Sequence, residues 1–201
     1  MRATYHITKR HILDAGQQII AVKGFAGVGL SEILLAADIP KGSFYHYFGS
    51  KEQYGCALLE QYFDDYLEKL KLILGTTDHV TNTESARSRL LSYWGGWVES
   101  QSCYDLKGRC MVVKLGAEVA DLSDAMRIAL CEGTHRVMAQ LSICIATGIA
   151  EGSLRPELDP AKTAEMLYQM WLGASLLAKL QLASAPLENA METTNKVLMH
   201  P

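Results

Sequence analysis

The sequence predicts an all-α fold, and three observations predict it. Apolar residues recur three and four positions apart along most of the chain, which is the spacing of one helical face. No run alternates with the period of two that a half-buried strand needs, and no repeat or low-complexity tract interrupts the pattern. Breakers at Gly24, Pro40, Gly49 and Gly75 fall where the periodic stretches end.

The first helix carries Ile12, Ala15, Ile19, Ile20 and Val22 as its apolar stripe and closes at Gly24. Phe25 and Val28 lead into a short second helix over about 30–37, with Ile33, Leu34 and Ala37 facing inward. Asp38-Ile39-Pro40 breaks it. A third helix starts near Pro40 or Lys41, because proline is tolerated in a first turn, where its N–H would have no partner anyway. Gly49 and Ser50 stop it, and Ser50 caps the fourth helix with Gln53 three residues on, as in a capping box. That helix runs to Gly75, with Leu58, Leu59, Tyr62, Tyr66 and Leu70 at helical spacing. Residues 75–85, "GTTDHVTNTES", are polar and turn-rich and form a linker. Four or five further helices follow, at about 86–101, 107–120, 123–151, 160–183 and 187–199.

Two short helices joined by a tight turn, ahead of a long one, make a helix-turn-helix, whose second short helix enters the DNA major groove N-terminal end first. The stretch "PKGSFYHYFGSKE", residues 40–52, suits that task. Lys41 neutralises a phosphate, and Gly42 lets the DNA backbone come close. Ser43, Tyr45, His46 and Tyr47 reach phosphates or base edges with polar tips, while Phe44 and Phe48 point back and hold the helix. Lys51 starts the next helix, where its charge and the unpaired backbone N–H groups both suit a phosphate. Ser31, at the start of the second helix, joins this set of candidate DNA contacts. A plain three-helix core with a few surface tyrosines is the competing account of the same residues.

Composition agrees with a DNA-meeting part on a body that avoids DNA. The 201-residue chain has a net charge of −3, but residues 1–51 hold six Lys/Arg against three acids, and the remainder holds thirteen against nineteen. The start of the chain has no apolar run of the secretory kind, and the five cysteines show no paired spacing. Both features point to reduced thiols in a cytoplasm. Residues 166–185 carry one charge, Lys179, over about a membrane-span length. Gln169, Ser175 and Gln181 favour a helix buried in a core or subunit interface.

"GFAGVGLSEILLAADIPKGSFYHYFGSKE" resembles the DNA-binding signature of the TetR family of bacterial repressors over about residues 8–68. Gly-Phe ends the first helix, and Lys-Gly-x-hydrophobic-Tyr-x-x-Phe-x-x-Lys-Glu spans the third. Pro40 stands where the family often has a small polar residue, and Asp38 where it usually has glycine, which alters the turn. The resemblance implies an all-α, TetR-like homodimer bound to a near-palindromic double-stranded operator. Its helix-turn-helix domain would be 8–68 and its regulatory and dimerisation domain 76–201. Residues 160–183 and the amphipathic tail, with Leu187, Ala190, Thr194 and Val197 in line, would pair with their copies as a four-helix bundle.

"GRCMVVKLGAEVADLSDAMR" (108–127) and "LYQMWLGASLLAKL" (167–180) are similar to repressors of the NemR type, which respond to reactive electrophiles and chlorine oxidants through a cysteine. Cys110 and Lys179 fall on matching positions, and the resemblance implies a sensing role for both. The residues agree in part. In the first turn of a helix starting near Lys107, the helix dipole, Lys107 and Arg109 favour the Cys110 thiolate. Against that stands the common fate of a free cysteine, a small buried apolar side chain, which is also what Cys56, Cys131 and Cys144 are taken to be. Cys103, seven residues from Cys110, is a bystander or a resolving thiol. Lys179, alone among apolar residues, either loses hydration, so that its pKa falls, or extends its charge back to water. If it lies near Cys110, its amine attacks the oxidised sulfur to give a reversible S–N link.

A reversible non-covalent ligand in the C-terminal region is the alternative inducer. Trp94, Trp97, Tyr168 and Trp171 line an aromatic pocket for it or pack as plain core. Arg87 and Arg89 form a solvated face. No enzyme motif is present: there is no GxGxxG, P-loop, HExxH or GxSxG, and the six histidines lack metal-ligand spacing. The expectation is therefore no catalysis, no metal and no cofactor.

Overall fold

The structure is a computed structural model that describes residues 2–76, 83–102 and 110–199. Among the described residues the chain forms nine helices: α1 (Arg2–Lys23), α2 (Leu30–Ala36), α3 (Lys41–Phe48), α4 (Lys51–Leu74), α5 (Ala86–Ser102), α6 (Met111–Leu122), α7 (Asp124–Ala150), α8 (Pro160–Gln181) and α9 (Ala185–Leu198). No strand occurs among those residues.

The breakers act as expected. Gly24 takes φ +83°, Gly49 +72° and Gly75 +63°, left-handed values that end α1, α3 and α4. Asp38 adopts φ +50°, one of the few non-glycine residues that tolerate it, and so does the work of a glycine between α2 and α3. Pro40 is the cap before α3 rather than its first residue. Ser50 Oγ accepts the Gln53 N–H at 3.0 Å and caps α4.

The chain divides into two compact units, Met1–Asp64 with Arg109–Gly133, and Asp65–Gly108 with Thr134–Pro201. They do not follow the linear order of the chain, since α4 and α7 run from one unit into the other. In the first unit, Ile12, Ile20, Phe25, Ile33, Phe44, Phe48, Tyr54 and Leu58 form the core, and Met126 on α7 packs over Gly55 beside Phe25. The stretch from α6 into α7 therefore belongs with the helix-turn-helix.

In the second unit α5, α8 and α9 pack together around Trp94, Trp171 and Leu187. Arg89 corrects the expectation of a solvated face. It is 6% exposed, and its Nε donates to Leu74 O at 2.9 Å, closing the last turn of α4. Arg87 is half-buried and donates to Asn195 Oδ1 at 3.4 Å. Leu187, Ala190 and Thr194 are also spent within the chain, with Thr194 accepting from the Trp171 indole at 2.9 Å. Exposed apolar residues cluster on α8 and just beyond it: Leu176, Leu177 and Leu180, then Leu182, which is 77% exposed. No helix among the described residues is long and apolar enough to cross a membrane.

Candidate DNA-reading helix and candidate sensor cysteine

α3 has eight residues, too few to hold itself, and it is anchored by one face. Phe44 and Phe48 are buried against Tyr54, with ring centroids 5.3 and 4.9 Å away. The opposite face presents Lys41, Gly42, Tyr45 and His46 to solvent, with Ser43 and Tyr47 half-buried. The Lys41 ammonium lies 5.9 Å over the Tyr45 ring. A Cβ on Gly42 would meet nothing within 4 Å, so nothing among the described residues demands a glycine there. Tyr5, at the start of α1, packs its ring on Tyr47 at 4.7 Å and stands edge-on to His46 at 6.1 Å. Ser31 is exposed in the first turn of α2.

Lys51 differs from the other candidates. Its Nζ donates to Phe25 O at 2.9 Å and sits 4.6 Å over the Phe25 ring. Burial holds its pKa below the ordinary lysine value, with Glu118 and Glu32 working in the other direction. The residue therefore pins the turn after α1, whatever it offers to a phosphate.

Cys110 is the residue before α6, with φ −58° and ψ 120°. It is 8% exposed. Burial pushes its thiol up, and the Val113 and Val112 N–H groups and the Tyr62 hydroxyl pull the other way. The helix N-terminus faces the sulfur and favours the thiolate, and burial opposes it. Lys107 and Arg109, the cations invoked for it, lie outside the described residues, as does Cys103. The Tyr62 hydroxyl on α4 donates to Cys110 Sγ at 3.9 Å and accepts the Met111 N–H at 3.2 Å. One phenol thus ties α4 to the beginning of α6.

Cys144 is buried, as expected, and Cys56 is intermediate, but Cys131 is exposed. Lys179 is also exposed, on α8 in the other unit, so the premise of a dehydrated lysine is not met in the single chain. The four candidate pocket aromatics are packed core. Trp94 and Trp171 stack 4.8 Å apart at 7°, Trp97 and Tyr168 meet at 6.1 Å, and all four are at most 6% exposed. A surface groove elsewhere in this unit, lined by Met138, Ser142, Ile143 and Glu165 among others, contains none of them.

Sequence reasoning missed Tyr62 as a partner of Cys110, and it missed Lys114 and Glu118 altogether. A signal existed for the last two. Residues 110, 114 and 118 recur every four positions and so share one face of α6.

The family model described as "Bacterial regulatory proteins, tetR family" matches residues 12–53, and "Tetracyclin repressor-like, C-terminal domain" matches 86–194. The HTH-type transcriptional repressor NemR of Escherichia coli (strain K12) is 38% identical over 198 residues, 98% of this chain and 97% of that protein. The transcriptional regulator AcuR of Cereibacter sphaeroides is 34% identical over 190 residues, 93% and 83% of the two chains. The crystal structure of the reduced form of E. coli NemR superposes with a TM-score of 0.89 at 39% identity, covering 98% of this chain and 99% of that one.

Proposed function

The chain belongs to the TetR family of bacterial transcriptional regulators and is a repressor of that type, similar to NemR; from that premise we propose that modification of Cys110 releases it from its operator. The observation that carries this reading is the setting of the thiol. Cys110 is closed in by burial, faces the first amides of α6 and shares the Tyr62 hydroxyl with Met111. Once transient opening admits water, those donors stabilise the thiolate, the reactive form. A quinone or maleimide adduct needs more room than the closed site has. The start of α6 must then part from α4, and the ligand-free arrangement is no longer the stable one.

DNA reading is assigned to residues 8–68, through Lys41, Gly42, Ser43, Tyr45, His46 and Tyr47 on α3, with Ser31 and Lys51 beside the groove. The open space around Gly42 supports close approach of a DNA backbone. Residues 76–201 serve regulation and dimerisation. The exposed leucines of α8 supply an apolar face for a second copy, which would set two recognition helices about 34–36 Å apart on a near-palindromic site. For chlorine oxidants the amine is assigned to Lys179 on the likeness to NemR alone, since in the single chain Lys179 is exposed on α8. Hypochlorous acid transfers its chlorine to the thiolate, giving a sulfenyl chloride and releasing hydroxide. The amine then displaces chloride, forming an S–N bond and losing a proton.

The test is operator binding before and after treatment. Cys110→Ser should bind the operator as the parent does and stay bound after a quinone or hypochlorite, while Lys179→Ala should blunt the hypochlorite response more than the quinone response. A Cys110→Ser protein released as readily as the parent would overturn the reading.

A further inference from the structure

The first unit holds a polar constellation that DNA reading does not use. With φ +83° at Gly24, the chain leaves α1 so that the Phe25 and Ala26 N–H groups converge, an arrangement that binds anions. The anion in place is the Glu118 carboxylate of α6, with Oε2 accepting from Phe25 N at 3.3 Å and Oε1 from Ala26 N at 2.5 Å. A Cβ on Gly24 would lie 2.8 Å from Oε2, so a side chain there would crowd the carboxylate and be strained by the positive φ. One turn earlier on α6, Lys114 Nζ donates to Val22 O at 2.9 Å. A cation thus meets the carbonyl end of α1, and an anion meets the amides just past it. At the far end of α6, Ser123 Oγ donates to Glu52 Oε1 on α4 at 2.5 Å.

This grip reaches the helix-turn-helix directly. The Phe25 peptide is held on its N–H side by Glu118 and on its carbonyl side by Lys51 at 2.9 Å. Val28 is fully buried, and Gly29, which caps α2, gives its N–H to Glu32 at 3.1 Å. The segment between α1 and α2 is thus tied at Phe25, Ala26, Val28 and Gly29. At the other end, α6 begins beside Cys110, and Glu118 lies two turns, about 12 Å, along the same rigid rod.

We propose that Glu118, supported by Lys114, is the positioning residue through which α6 sets the helix-turn-helix, so that displacement at the start of α6 arrives at the α1–α2 turn. The trigger, but not the latch, rests on the function proposed above. Two charge-assisted hydrogen bonds from neighbouring amides to one carboxylate are lost together when the helix slides, which gives the coupling two discrete states.

The experiment uses the full-length parent, Glu118→Ala, and Glu118→Gln as a shape-preserving second variant, with thermal unfolding to confirm that each folds. Operator affinity is measured before and after N-ethylmaleimide, with the Cys110 adduct verified by mass. The amide exchange of residues 111–114 is followed with and without operator. In the parent, alkylation should weaken operator binding about 30-fold, within the usual span of allosteric coupling. In both variants the unmodified affinity should stay within about threefold of the parent, and alkylation should cost less than about threefold. By reciprocity, operator should slow exchange in the first turn of α6 in the parent and leave it unchanged in the variants. Variants released like the parent, or showing the same operator-induced slowing, would overturn the latch. If the parent itself is not released by alkylation, the sensing reading fails, and the exchange measurement alone decides the latch.

Discussion

Two stretches of this chain crowd aromatic rings beside glycine, and they meet opposite fates. In "SFYHYF", residues 43–48, two rings are buried and the others stand at the surface, with Tyr45 44% exposed. In "YWGGW", residues 93–97, Tyr93, Trp94 and Trp97 are all buried and interlocked with Trp171 and Tyr168. Ring content does not separate them; the neighbours do. α3 has eight residues and one buried face, so rings on its other side meet only Tyr5 of α1 and the Lys41 ammonium and are not enclosed. α5 has α8 and α9 against it, and rings facing two long helices are enclosed. A presented ring is available for recognition, whereas an enclosed one holds the fold.

The sharpest way to break this contrast is to truncate a ring from the enclosed set. Trp171→Ala removes the partner of the Trp94 stack and leaves the Thr194 hydroxyl without its indole donor. It should cost about 3–5 kcal/mol in urea unfolding. A loss below about 1 kcal/mol would mean that the site tolerates a vacancy, and the four aromatics would then be the pocket considered from the sequence rather than core.

A second test asks how well the same unit is sealed. Cys144 donates to Ala86 O at 3.8 Å, at the start of α5. Burial pushes its thiol from about 9 to about 11, with Arg89 pulling the other way. The protonated form is favoured by folding, so this contribution is intact below about pH 9 and is lost as pH rises to about 11. Two pH units correspond to about 2–3 kcal/mol. The parent should therefore lose more stability than Cys144→Ala between those limits. Equal losses would mean that water reaches the thiol.

The same contrast explains what could be read in advance. The helix-turn-helix was legible because its signals are local: Gly24, Pro40 and Gly49 mark helix boundaries, and Ser50 caps α4 where its type and spacing say it should. Asp38 was marked as a departure, and its positive φ shows how the departure is absorbed. What failed depended on partners distant in sequence. The resting state of Cys110 turns on burial and on Tyr62, 48 residues away, and no local argument weighs desolvation against a helix dipole. Arg89 looked solvated because nothing near it in sequence shows that the α4 carbonyl of Leu74 needs a donor. The stripe of α9 was rightly seen as apolar, but periodicity cannot say whether its cover is the same chain or another. The Glu118 carboxylate was invisible for a related reason: its ligands are backbone amides, which carry no sequence signature.

The smallest expected effect on stability comes from the presented side of α3, and there it should be separable from function. The Lys41 ammonium lies 5.9 Å over the Tyr45 ring, which stands edge-on to Phe44 and is 44% exposed. Tyr45→Ala and Lys41→Ala should each change unfolding free energy by no more than about 0.5 kcal/mol, as exposed positions do. Their DNA behaviour should differ, because a phenol tip and an ammonium are read differently by a duplex. Loss of one phosphate contact at Lys41 should weaken all duplexes alike and flatten the log–log salt dependence by about one unit. Tyr45→Ala should leave that slope alone and cost about 1–3 kcal/mol of discrimination between the operator and a mismatched site. Salt titrations on both sequences make the distinction. A Tyr45→Ala protein that keeps full discrimination would remove this ring from the reading face and leave α3 with His46 and Ser43 as its candidates for base contact.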